Sequence, residues 1–184
     1  MVLTAALTLL FAQGQTAARF EGKVTRSVAL DYLVSLPDGY EQDRRKRWPV
    51  MLFLHGAGER GADVEKVAAH GPIKEVRKGR KLPFIIIAPQ CPANEWWDPA
   101  TLDVLMNHVE RTYRVDKNRE YLTGLSMGGF GTWGLATLNP NRFAAIFPIC
   151  GGGNPATVSA LRQTPTWVVH GDQDTAVPLD QSTR

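Results

Sequence analysis

The chain has 184 residues, enough for one domain with a single buried core. Its 43% hydrophobic and 21% charged content describes a globular chain rather than a disordered one. A formal net charge of +3 is too small to point to a nucleic-acid partner.

The N-terminal run Val2 to Ala12 is apolar but too short to span a bilayer, and Thr16-Ala17-Ala18 offers the small residues of a signal-peptidase site. No Lys or Arg precedes the apolar run. Residues 1–18 are expected to be a signal peptide and 19–184 a single domain, in a secreted or periplasmic protein, with the cytoplasm as the alternative. No longer apolar stretch follows, so no transmembrane segment is expected.

Further along, Val24–Leu36 alternates loosely and stops at the turn Pro37-Asp38-Gly39, as a strand or hairpin arm does. The basic runs Arg44-Arg45-Lys46-Arg47 and Arg77-Lys78-Gly79-Arg80-Lys81 each precede an apolar segment and read as solvated loops rather than phosphate-binding patches. Pro49–Leu54 and Phe84–Ala88 are short apolar runs suited to strands covered on both faces, and Phe143–Ile149 and Thr166–Val169 read the same way. Between them, Asp98 can cap a helix that has Pro99 in its first turn and Leu102, Leu105, Met106, Val109 and Tyr113 along one face. A second helix is expected from about Met127 to Leu138, ending before Asn139-Pro140. Alternating strands and helices imply an α/β fold with a mostly parallel sheet. Cys91 and Cys150 close apolar segments, where buried thiols are common; they could pair after export and would stay reduced in the cytosol. No His or Cys spacing resembles a zinc site, and neither metal nor cofactor is expected.

Three loops carry chemistry. Tyr121-Leu122-Thr123 leads into Gly124-Leu125-Ser126-Met127-Gly128, a G-x-S-x-G pattern in strand–turn–helix context. A serine hydroxyl is a poor nucleophile unless it is exposed and supplied with a base; the sharp turn gives exposure, and the helix start favours developing negative charge. The overlapping Gly129-Phe130-Gly131-Thr132-Trp133-Gly134 spells a dinucleotide fingerprint but starts inside the helix, contains a bulky Trp133 and lacks an acidic residue near position 150. It is therefore read as helix, not as a cofactor site. In the second loop, Leu54-His55-Gly56-Ala57-Gly58-Glu59-Arg60-Gly61 follows a strand and can aim a backbone N–H at a reacting carbonyl, paired with that of Met127. His55 there reads as a loop brace rather than a base. The third loop, His170-Gly171-Asp172-Gln173-Asp174-Thr175-Ala176-Val177-Pro178, places acidic residues after a strand, where a catalytic histidine needs a partner; Asp174 is the first choice and Asp172 the reserve.

These pieces, with Ala88-Pro89-Gln90-Cys91-Pro92, resemble the α/β-hydrolases of the carboxylesterase and feruloyl-esterase-like group, related in fold to dienelactone hydrolases and prolyl oligopeptidases. The resemblance runs from about residue 24 to residue 184. It implies Ser126 as nucleophile, Asp174 as acid, the N–H groups of Ala57 and Met127 as oxyanion hole, and Gln90, Trp96 and Trp97 beside the substrate cleft, with a small-molecule ester as substrate. A tryptophan there could stack on an aromatic acyl or sugar group or fill the core.

The triad order of this fold is Ser, acid, His, and no histidine follows Asp174. His55, His70, His108 and His170 all precede it, and His170 reads as a structural member of its loop. The expectation is therefore an esterase fold lacking its catalytic histidine and its last helix and strand. Such a chain would be weakly active and would expose apolar surface and an unpaired sheet edge. A prolyl-oligopeptidase-type peptidase and a non-catalytic binding protein on the same fold are the alternatives.

Overall fold

The computed structural model describes residues 19–22 and 25–183. The signal peptide expected over 1–18 lies outside the described residues.

Five strands form one sheet: β1 (Tyr32–Ser35), β2 (Trp48–Leu54), β3 (Ile85–Pro89), β4 (Val115–Leu125) and β5 (Ala145–Ile149). The spatial order is β1-β3-β2-β4-β5, with β1 antiparallel to β3 and all other pairs parallel. Four helices accompany them: α1 (Gly71–Arg77), α2 (Pro99–Thr112), α3 (Met127–Leu138) and the single turn α4 (Asp180–Thr183). This is the α/β-hydrolase class of architecture, as the alternation of elements implied.

Side-chain alternation decides the two layers. Val50, Leu52 and Leu54 of β2, Ile85 and Ile87 of β3, Leu122 of β4 and Ile146 of β5 join one core with α2 and α3. Phe53, Ile86 and Ala88 point the other way and meet Val67 and Ala68 of a 3-10 turn and Ile73 of α1. Leu52, Leu54, Ile85, Ile87 and Leu122 are at most 1% exposed, so each contributes about 2 kcal/mol of apolar transfer. The helices start and stop where the sequence signals lie. Asp98 caps α2 by accepting the Thr101 N–H at 3.0 Å, and Leu102, Leu105, Met106 and Val109 are its buried face.

Two expected strands are shorter than the apolar pattern implied. Of Val24–Leu36 only Tyr32–Ser35 pairs, while Val24 lies outside the described residues. Upstream, Arg26 binds Asp98 and Thr101 at the start of α2, so this segment leaves the sheet and crosses to the helix. Thr166–Val169 forms two isolated bridges to β5, at Ile146 and Ile149. The edge rungs run Ile146 N to Pro165 O (2.9 Å), Trp167 N to Ile146 O (3.1 Å), Val169 N to Pro148 O (3.3 Å) and Cys150 N to Val169 O (2.8 Å). Between them the rung from residue 148 is missing, because proline has no N–H.

The basic runs are exposed, as expected, but the second begins in the last turn of α1 rather than in a loop: Lys46 lies over the Trp48 ring, while Arg77 pairs with Glu65 and Lys81 with Asp38. Cys91 and Cys150 are free thiols. Apolar surface is exposed near the sheet edge, where Trp167 is 72% exposed and an apolar cavity of about 370 Å³ opens between Met51, Phe84, Tyr121, Phe147, Pro165 and Trp167. Among the described residues no helix is long and apolar enough to cross a membrane.

Candidate active site

The C-terminal ends of β2, β4 and β5 bring the three loops together. At the end of β4 the chain turns within one residue into α3, and Ser126 takes the whole of that turn at φ 56° and ψ −115°. A left-handed φ on a non-glycine residue costs about 1–3 kcal/mol, so the surroundings must hold it. They do so through the Ser126 N–H, which donates to Ile149 O at 2.9 Å, and through close backbone packing. A Cβ on Gly124 would lie 2.3 Å from Gly128 O, and one on Gly128 only 1.9 Å from Leu54 O. Both glycines are thus required by contact between strand and helix, as the motif implied.

The loop after β2 abuts this turn. A Cβ built on Gly56 would lie 3.8 Å from Ser126 Cβ. Ala57 opens a short 3-10 turn (Ala57–Glu59), and Met127 is the first residue of α3. First residues of helices have N–H groups with no partner inside the helix, so the Ala57 and Met127 amides carry no intrahelical hydrogen bond. His55 is a brace, as the sequence suggested: it is 1% exposed, its Nδ1 lies 2.6 Å from Gly56 O, and its Nε2 accepts the Cys91 N–H at 3.0 Å. Burial lowers its pKa, partly offset by the bond to Gly56 and by Glu59.

The loop after the edge segment holds Asp174 and His170. Asp174 Oδ1 accepts the N–H groups of Ala176 and Val177, both at 2.9 Å, and these bonds hold its carboxyl below the usual carboxylate range, with His170 adding a smaller pull. Asp174 Oδ2 lies 3.7 Å from His170 Nε2. Asp172, the reserve, is exposed.

His170 corrects the expectation that no histidine is available to a serine. Its side chain is 2% exposed, its Nδ1 lies 2.7 Å from Ser182 Oγ, and its Nε2 lies 2.7 Å from Val177 O. A carbonyl oxygen can only accept, so the neutral ring carries its proton on Nε2 and leaves Nδ1 to accept the Ser182 hydroxyl. The same hydroxyl lies 2.8 Å from Gly151 O, to which it can donate instead. A serine–histidine pair with a carboxylate nearby is therefore present. Sequence reading missed it because the partners lie 12 residues apart and α4, which carries Ser182, has no strong helix signal. Cys150 was also missed: it sits at φ 40°, with its own N–H tied to Val169 O.

Two residues expected beside the cleft are structural instead. Gln90 is 3% exposed and donates from Nε2 to Glu59 O (2.6 Å) and Cys91 O (3.0 Å). Trp97 is 7% exposed and donates from Nε1 to His55 O at 3.1 Å, filling the core as the alternative allowed. Trp96 remains at the surface, 61% exposed, with its ring edge-on to Phe130 of α3 at 6.0 Å.

The fold and the serine turn define the serine-hydrolase class of α/β proteins. The comparisons give the family: the putative esterase family matches residues 29–182, and the chain belongs to it. A probable feruloyl esterase C of Aspergillus terreus is 25% identical over 156 residues, which is 82% of this chain and 57% of that protein. Feruloyl esterase C of Emericella nidulans is 27% identical over 156 residues, with the same shares covered, 82% and 57%. A crystal structure of a thermostable esterase is 33% identical at a TM-score of 0.70, covering 85% of this chain and 46% of that one. The chain thus spans about half the length of these relatives.

Proposed function

We propose that the protein hydrolyses small-molecule carboxylic esters through a serine nucleophile and an acyl-enzyme intermediate. The observation that carries this reading is Ser126 held at φ 56° between β4 and α3, with the Gly56–Ala57 loop packed against it; the proposed oxyanion donors are the N–H groups of Ala57 and Met127. In this reading Ser126 Oγ attacks the ester carbonyl, and those two amides meet the oxyanion that forms. Each such donor contributes about 10²–10³ in rate in hydrolases of this type. The imidazole at this end of the sheet is His170, and Asp174, its Oδ2 3.7 Å from His170 Nε2, is the proposed acid. The names of the feruloyl esterase relatives support an aromatic acyl group, for which exposed Trp96 against Phe130 offers a stacking surface.

A second reading has its own observation: the 2.7 Å contact between His170 Nδ1 and Ser182 Oγ makes Ser182 the serine already joined to a base. A fluorophosphonate probe separates the two. Labelling abolished by Ser126→Ala and retained in Ser182→Ala supports Ser126, and the reverse pattern supports Ser182. Hydrolysis of p-nitrophenyl acetate and methyl ferulate is expected; turnover of a prolyl-peptide substrate alone would overturn the ester reading. We further propose a secreted or periplasmic location, supported by the composition of residues 1–18 and testable by cell fractionation.

A further inference from the structure

The loop that carries Ala57 is held in an unusual way. Three consecutive backbone carbonyls each receive one side-chain donor: Trp97 Nε1 reaches His55 O at 3.1 Å, His55 Nδ1 lies 2.6 Å from Gly56 O, and Arg60 Nε reaches Ala57 O at 3.0 Å. Two further ties join the same loop to the segment after β3, Gln90 Nε2 to Glu59 O at 2.6 Å and Gly61 N to Cys91 O at 3.0 Å.

The middle bond has a specific geometric consequence. Among the described residues no peptide bond is cis. In a planar trans peptide the carbonyl and the following N–H belong to one rigid unit and point in opposite directions. Whatever holds Gly56 O therefore fixes the direction of the Ala57 N–H. The tautomer of His55 follows from its two partners. Cys91 N–H can only donate, so Nε2 is unprotonated; Gly56 O can only accept, so Nδ1 carries the proton. Trp97 packs edge-on to the ring at 4.8 Å and blocks rotation.

We propose that His55 is a positioning residue for the oxyanion hole: it aims the Ala57 N–H through the Gly56–Ala57 peptide, in a tautomer set by the Cys91 backbone amide. The inference rests on the esterase reading and deepens it. Glu59 lies 4.0 Å from His55 Nδ1 and 3.5 Å from His70 Nε2, and Arg60 follows it in the chain, so these are the charged groups facing the ring. Burial outweighs the acid and keeps the ring neutral, and a neutral ring is what the relay needs.

The test uses His55→Phe, which keeps the ring volume and removes the donor, and His55→Asn, whose side-chain amide can donate from near the Nδ1 position. With p-nitrophenyl acetate, His55→Phe is expected to lower kcat about 10–100-fold with KM little changed, because a misaimed oxyanion donor is felt in the transition state. His55→Asn is expected to restore most of kcat, although it also loses the bond from Cys91. Equal kcat in the two variants would overturn the proposal. Backbone NMR reports independently of activity: the Ala57 amide should shift and exchange faster in His55→Phe and stay near its native position in His55→Asn. If the unmodified chain hydrolyses no ester, the esterase reading fails, and the Ala57 amide still decides the positioning claim. A His55 ring that titrates near the ordinary histidine pKa, followed by ring-proton shifts between pH 8 and 5, would also overturn it.

Discussion

Replacing Gly128 by alanine tests whether the serine turn and the oxyanion loop are one mechanical unit. The added Cβ would lie 1.9 Å from Leu54 O, 2.5 Å from Leu54 C and 2.9 Å from His55 O. Ordinary carbon–oxygen contact is about 3.3 Å, so α3 and the end of β2 must separate by more than 1 Å. Every atom in the clash is backbone, and none can swing aside as a side-chain end would. Overpacking a close-packed site costs about 1–3 kcal/mol, and this backbone clash belongs at or above the top of that range. A loss of about 3 kcal/mol lowers Tm by roughly 6–12 °C in a domain of this size. The displaced atoms are those leading into His55 and Ala57, and a misplacement of about 1 Å near reacting groups can cost about 10²-fold in rate. Gly58→Ala is the matched control, because its Cβ would meet nothing within 4 Å. Thermal melts and p-nitrophenyl acetate hydrolysis of the two variants give the comparison. A Gly128→Ala protein with the melting point and rate of Gly58→Ala would refute the reasoning.

Two further perturbations test other parts of the molecule. Glu120 is 1% exposed and its pKa is pushed up to about 7, by burial first and by nearby Glu110, against the pull of Arg142. Because this value lies above the ordinary carboxylate pKa, the folded state holds a proton that the unfolded chain releases, and the resulting stability is lost as pH rises from about 4.5 to about 7. Glu120→Gln should flatten that dependence; denaturant melts at pH 5 and pH 8 whose difference is the same in variant and parent would count against it. Trp97→Phe removes the donor to buried His55 O and should cost about 1–3 kcal/mol, read by urea unfolding, with an unchanged midpoint as the contrary result.

Much of the scaffold was legible because local signals and burial agree. Asp98 and Pro99 open α2, Asn139-Pro140 closes α3, and unbroken apolar runs mark the strands that are buried on both faces. The serine turn was legible for the same reason: glycines are needed where backbones touch. Residues whose roles depend on distant partners were not legible. Glu120 looks like one more charged residue between Arg119 and Tyr121, yet it is buried against Arg142, which also binds Asp103 and Glu110. Gln90 and Trp97 sit in a segment that the family resemblance places beside substrate, but their donors are spent on Glu59 O, Cys91 O and His55 O. The pairing of His170 with Ser182 requires α4 to fold back over Gly151, which no local pattern announces.

The two serines of the candidate site differ in what each lacks, and the difference is physical. Ser126 has the strained turn and the start of a 12-residue helix, whose dipole favours negative charge developing there. Among the described residues its hydroxyl makes no hydrogen bond to a histidine. Ser182 has the histidine, but it lies in the four-residue α4, too short for an appreciable helix dipole. The loops carrying these two halves are already joined: Cys150 follows Ile149, which accepts the Ser126 N–H, while the Cys150 N–H is held by Val169, the residue before His170. Gly151, next in sequence, accepts from Ser182. The non-glycine left-handed φ values of Ser126 and Cys150 therefore lie on either side of one hydrogen-bonded seam. Residues 149–151 thus tie the nucleophile turn to the histidine loop, with hydrogen bonds from Ser126 on one side and to Val169 and from Ser182 on the other.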